Sequence, residues 1–200
     1  DFQKSAALEQ AARFDTVNAP AIIERIPIEA VRKSAQMQHL LATFKAPDVI
    51  AQFAAEDVAR WPFWKRGDGY HARGRAYLII KDGDKAEADL TAALDWTSEP
   101  RTRDAIHLAL AQNREHNLHD DDAALVAYHA IIDDRRQIGS ADEYAALQGI
   151  ARILTRKGRF DEALAILNRV NLDKLQGVWR KRFLNSLEEV HQAAKKGARP

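Results

Sequence analysis

Apolar residues recur at spacings of three and four along nearly the whole chain, and no period-two run is long enough to make a strand. Glycine and proline interrupt this pattern at intervals, so the sequence reads as a succession of helices joined by short turns. Between Ile28 and Phe44, the residues Ile28, Val31, Met37, Leu40, Leu41 and Phe44 form one stripe. Pro47 suits the first turn of the next helix, where its missing N–H costs nothing. Ile50, Phe53, Ala54, Val58 and Trp61 supply that helix's buried side. The two form a hairpin, preceded by a shorter helix from about Lys4 to Phe14 and a loop containing Pro20 and Pro27.

A fixed interval then recurs. In "YHARGRAYLIIKDGDKAEADLTAAL", residues 70–94, Tyr70, Gly74 and Tyr77 are followed by Ala86 twelve residues past Gly74, then by Leu90 and Ala93. In "LQGIARILTRKGRFDEALAILNRV", residues 147–170, Leu147, Ile150, Ala151 and Leu154 are followed by Ala163 twelve past Ala151, then by Leu167 and Val170. Small residues let two helices touch, and the large ones fill the groove beside the contact. Both segments resemble the tetratricopeptide repeat, a helix–turn–helix unit of about 34 residues. Two departures stand in the first: Arg73 replaces a preferred leucine, and the helix-ending proline comes late, at Pro100. A third copy lies between them, with Leu108 and Ala109 opening it and Ala124, Tyr128 and Ile131 closing it. There the interval from Ala109 to Ala124 is fifteen, which places three extra residues in "HNLHDDD", residues 116–122.

The resemblance implies an all-α fold, a right-handed α-solenoid of antiparallel helix pairs. A helical N-terminal extension would occupy 1–66, three repeats 67–171 (about 68–100, 101–139 and 143–171), and a capping helix with a basic tail 172–200. First helices of such repeats line a concave groove that holds a peptide or partner protein. Read onto this chain, the groove-facing places are His71, Arg75, Leu78 and Ile79, then Asn113 and Arg114, then Gln148, Arg152, Thr155 and Arg156. The dicarboxylate clamp of chaperone-binding relatives needs a Lys and Asn pattern; His/Arg and Gln/Arg stand here instead. What remains is an arginine-bearing groove whose guanidinium forks match carboxylates or phosphates. The expected role is a non-catalytic scaffold without cofactor, its partner a protein or peptide, with acidic ones favoured. The alternative is a structural or accessory helical module of a larger, secreted or envelope-associated enzyme.

Other motifs invite sharper readings. His116, His119 and Asp121 could together ligate zinc, but the compact HExxH spacing is absent. An aspartate of 120–122 capping the next helix is the simpler expectation. The tripeptide Arg66–Gly67–Asp68 reads as a turn, with Asp68 capping a helix that begins near Tyr70. Trp61, Phe63 and Trp64 read as the seam before the first regular repeat. In "WRKRF", residues 179–183, Trp179, Phe183, Leu187 and Val190 share a helix face, leaving Arg180, Lys181 and Arg182 to solvent rather than nucleic acid. No phosphate loop, nucleophile elbow or paired carboxylates point to catalysis.

Composition sets outer bounds. Apolar residues at 46% and charged ones at 30% describe a chain that folds, and no apolar run is long enough to span a bilayer. The absence of cysteine excludes disulfides and thiolate chemistry but leaves cytoplasmic, periplasmic and extracellular settings open. The chain opens on Asp1, which suggests a processed form or a piece of a larger protein. The formal charge of +1 hides an asymmetry, since residues 152–200 hold twelve Lys/Arg against five Asp/Glu.

Overall fold

The computed structural model describes residues 1–133 and 139–197; the end of the middle repeat range, 134–138, and the last of the basic tail, 198–200, lie outside the described residues. Among those described, the protein is all-helical and has no strand. The helices are α1 (Phe2–Phe14), α2 (Ala19–Ile23), α3 (Glu29–Ala42), α4 (Ala46–Phe53), α5 (Phe63–Ile79) and α6 (Gly83–Asp95). They continue with α7 (Pro100–His116), α8 (Asp121–Ile132), α9 (Ala141–Arg156), α10 (Phe160–Leu167) and α11 (Gly177–Gly197). Short 3₁₀ turns lie at Val58–Arg60 and Leu172–Lys174. No helix among the described residues is long and apolar enough to cross a membrane.

Four tight turns set the order of packing. Each contains one residue in the left-handed region: Phe44 (φ 60°), Lys81 (φ 65°), His119 (φ 55°) and Gly158 (φ 73°). At three of them the next residue's N–H reaches back to the preceding helix: Lys45 to the Leu40 carbonyl (2.8 Å), Asp82 to Tyr77 (3.0 Å) and Arg159 to Leu154 (2.9 Å). This closure satisfies helix-end carbonyls and reverses the chain. At the fourth, Asp120 reaches one residue further back, to Arg114 (2.8 Å). The turns join α3 to α4, α5 to α6, α7 to α8 and α9 to α10, and each of these pairs packs together. The odd-numbered helices also touch in sequence, α3 on α5, α5 on α7, α7 on α9 and α9 on α11.

The second helices carry the recurring residues where the spacing predicts them. Counted four past each N-cap (Asp82, Asp120, Arg159) stand Ala86, Ala124 and Ala163, all fully buried. Four further on stand Leu90, Tyr128 and Leu167, and three beyond those Ala93, Ile131 and Val170, all buried. The cores form one cluster from α5 to α11, a second from α3 to α5 and a third joining α1, α2 and α3. In α11, Phe183 and Val190 are buried, Trp179 and Leu187 are half-buried, and Arg180, Lys181 and Arg182 face outward.

Several expectations are corrected. Pro20 lies in the first turn of α2 rather than in a loop. The stripe of α3 stops short of Phe44, which terminates the helix and is 96% exposed. α4 ends at Phe53, so Ala54 is exposed, while Val58 and Trp61 are buried from the 3₁₀ turn that follows. Only Trp61 of the aromatic group is buried; Phe63 and Trp64 are exposed.

The Arg66–Gly67–Asp68 tripeptide is not a turn, because α5 begins at Phe63 and runs straight through it, across the boundary drawn at residue 66. Its glycines serve close packing: a methyl group at Gly67 would collide with the Thr97 hydroxyl, and one at Gly69 would stand 2.7 Å from the Trp61 ring. The middle repeat also shifts. Its connection, residues 117–120, is one residue longer than 80–82 and 157–159, not three. Counted six before the C-cap, where Gly74 and Ala151 stand, the middle copy has Ala111 rather than Ala109.

Two substitutions should move stability in opposite directions. Gly149 faces the Tyr128 ring so closely that a methyl group would overlap it. Gly149→Ala gains about 1 kcal/mol in helix propensity, but overpacking costs roughly 1–3 kcal/mol, and Tyr128 is pinned through its hydroxyl. The net expectation is a lower midpoint in urea. Lys81→Gly instead relieves a left-handed lysine whose strain is about 1–2 kcal/mol, so its midpoint should rise. A rise for Gly149→Ala or a fall for Lys81→Gly would contradict this packing.

Candidate functional site

The residues expected along the groove separate into two groups. Asn113 is fully buried, and its amide donates to the Gly83 carbonyl at 2.9 Å. Arg114 forks onto Glu87 of α6 at 2.6 and 2.9 Å. Gln148 donates to the Ser186 hydroxyl on α11 at 3.2 Å, and the Thr155 hydroxyl turns back to the Ala151 carbonyl. Leu78 is half-buried, and its carbonyl accepts from Asn117; Ile79 is exposed. Of these, Asn113, Arg114 and Gln148 fasten helix to helix.

Arg152 and Arg156 are the strongest fastenings. Both reach from α9 to Glu115 on α7, whose side chain is fully buried; the Arg152 fork closes at 2.7 and 2.7 Å and Arg156 at 3.0 Å. The Tyr128 hydroxyl, from α8, donates to the same carboxylate at 2.8 Å. Burial would raise the Glu115 pKa, but Arg152, Tyr128 and Arg156 outweigh it and hold the group at about 2. Burial and the Glu115 charge push the Tyr128 phenol far above its ordinary value.

The loop that suggested a metal does other work. The Asp120 side chain accepts from the Ala123 N–H at 2.8 Å and caps α8. Asp121 pairs with Arg156 and Asp122 with Lys157. His116 and His119 are exposed, and His119 is the turn's left-handed residue. No group of three or more potential ligands is gathered for a metal among the described residues.

The second group meets in a cleft. A space of about 480 Å³ opens between α1, α3, α5 and α7, lined by His71 and Arg75 as expected. Arg13, His39 and Arg101, which the sequence reading missed, line it too. Its acids, Glu9 and Asp68, are both bonded to the buried ammonium of Lys65, at 2.7 and 2.5 Å. Arg75 and Arg101 are exposed, and among the described residues neither guanidinium bonds a carboxylate or a carbonyl. Arg73, Arg114 and Arg152, by contrast, each hold a carboxylate in a fork. The Nε2 of His71 is buried without a hydrogen-bond partner. Burial, assisted by the Arg75 charge and opposed by Asp68, lowers the His71 pKa to about 4, so the ring is neutral at pH 7. The result is a half-open cleft with methyl-sized walls, from Ala12, Ala35, Ala72 and Ala105, and two exposed guanidinium groups, Arg75 within electrostatic reach of Asp142 and Arg101 of Glu99. The planar fork of a guanidinium matches a carboxylate or a phosphate. Arg101 escaped notice because it opens α7 just after Pro100, a full helix length before the groove places read in the middle repeat.

The Glu115 cluster makes stability pH-dependent. The folded pKa of about 2 lies below the ordinary 4.5, so the contribution is complete above pH 4.5 and is lost as the pH falls from there toward 2. Glu115→Gln should flatten this part of the stability profile and cost about 3 kcal/mol at pH 7, since it leaves a buried cluster without its anion. Urea unfolding between pH 2 and 7 measures both, and a parallel profile in the variant would refute the assignment. In comparisons with protein families, curated proteins and solved structures, the chain matches none.

Proposed function

We propose that this chain is a tetratricopeptide-type scaffold, a right-handed solenoid of antiparallel helix pairs that holds an acidic peptide or protein segment on its first-helix face. The cleft carries this reading: among the described residues Arg75 and Arg101 form no ion pair, while the acids lining the same cleft are engaged, Glu9 by Lys65 and Arg13, and Asp68 by Lys65. The four recurring turns, the buried alanine four past the N-caps of α6, α8 and α10, and the sequential contact of odd-numbered helices all support repeat architecture. The residues at hand supply recognition rather than reaction: charge, a fork geometry and small apolar walls.

A second reading draws on a different observation. In the last pair, Gln148, Arg152 and Arg156 are engaged by Ser186 and Glu115. That stretch of the groove face serves cohesion, as in an accessory helical module of a larger enzyme. The two readings differ in whether the cleft takes a ligand.

A fluorescein-labelled decapeptide of alternating Asp and Glu should bind the protein saturably, followed by anisotropy in low salt. The double variant Arg75→Ala/Arg101→Ala should weaken it tenfold or more, because hydrogen bonds to charged groups are worth about 1.5–3 kcal/mol. Both side chains are exposed, so the unfolding midpoint should move by less than about 0.5 kcal/mol. Equal binding by the variant, or none by the wild type, would favour the accessory reading.

A further inference from the structure

The helix that walls the cleft is held unlike the others. α1 fully buries only Ser5 and Ala12 and packs a half-buried Leu8 on the cluster below, while Phe2 and Phe14 remain 61% and 83% exposed. Its fastenings are largely polar. Glu9 bonds the Lys65 ammonium at 2.7 Å, the Ser5 hydroxyl accepts from the Ile28 N–H at 3.3 Å, and the Phe2 ring meets Trp64 edge-on. Lys65 itself is 5% exposed and lies on α5, under α1. If α1 leaves, Lys65 keeps Asp68 as a partner, so departure strands no buried charge. The apolar cluster under α1 is also separate from the one joining α5 to α11, so α1 can detach without disturbing the larger core.

From these features we propose that α1 is an exchangeable occupant: it holds, in cis, the place of a partner helix that presents a carboxylate to Lys65 and alanine-sized residues to α3. The inference rests on the reading of the cleft as a binding surface, and it specifies that surface further. The partner's chemistry is copied from α1, namely an acid at the place of Glu9 and a small residue at the place of Ala12, three positions on and on the same helical side. Displacing α1 widens the cleft, because Glu9, Ala12, Arg13 and Thr16 form one of its walls. Occupation by α1 and by the partner helix are then mutually exclusive.

The test uses the full chain and the variant Glu9→Gln. In hydrogen exchange, α1 amides of the wild type should exchange about tenfold or more faster than those of α3. Glu9→Gln should speed α1 alone by roughly another tenfold, the effect of losing one charged hydrogen bond. A fluorescein-labelled peptide of residues 1–14 should bind the Glu9→Gln chain in trans, several-fold tighter than it binds the wild type. The same peptide carrying Gln at position 9 should bind more weakly to both. Exchange in α1 as slow as in α3, or a trans peptide whose affinity ignores either substitution, would overturn the proposal. Because the acidic decapeptide is not used, failure here leaves the Arg75 and Arg101 reading separately testable, and success here does not rescue it.

Discussion

Helix contact across a methyl group is the constraint from which the rest of this structure follows. Ala86, Ala124 and Ala163 are fully buried at the same distance past the N-caps of α6, α8 and α10, and Gly74 and Gly149 face Leu90 and the Tyr128 ring with no room for another carbon. Helices this close must be joined by turns that reverse the chain in three or four residues. Such turns need one residue in the left-handed region, and each pair has one. With direction and spacing fixed, the long side chains of one pair reach the next, and the apolar cluster from α5 to α11 becomes continuous.

Close packing also decides what the charged residues do. A guanidinium on a first helix has a carboxylate within reach only where a neighbouring helix supplies one. Glu87, Asp89 and Glu115 do so for Arg114, Arg73 and Arg152, and these pairs become fastenings between helices. Near the N-terminal end the arrangement inverts. Lys65 takes Glu9 and Asp68, Arg13 shares Glu9, and among the described residues Arg75 and Arg101 hold no carboxylate. Whether an arginine fastens two helices thus depends on where the acids sit, not on how many arginines a helix carries.

This explains what the sequence disclosed and what it concealed. The second helices were legible, because burial at a helical interval leaves a pattern of small and large residues that any reader can count. The turns were not, since three of the four left-handed positions hold Phe44, Lys81 and His119 instead of glycine. Conversely, Gly67 looked like a turn residue and is a packing residue inside α5, a distinction that depends on Trp96 and Thr97 arriving from elsewhere in the chain. Of the expected groove residues, His71 and Arg75 line the cleft, whereas Arg152 and Arg156 face Glu115, an acid on another helix that no local spacing could have matched to them. Long-range pairing erased the signal, not a weak pattern.

A gradient therefore runs along the molecule. From α7 to α11 the helices are joined by a continuous apolar cluster and a buried ionic centre, arrangements that do not yield to a ligand without loss of the fold. From α1 to α3 the apolar cluster is the smallest of the three, and polar contacts supplement it. Local opening is least costly where few apolar groups are buried, and binding surfaces must come from such regions if a ligand is to displace anything. The unpaired arginines and the weakly held helix occupy the same end of the chain. Both lie where the smallest of the three apolar clusters holds the helices together.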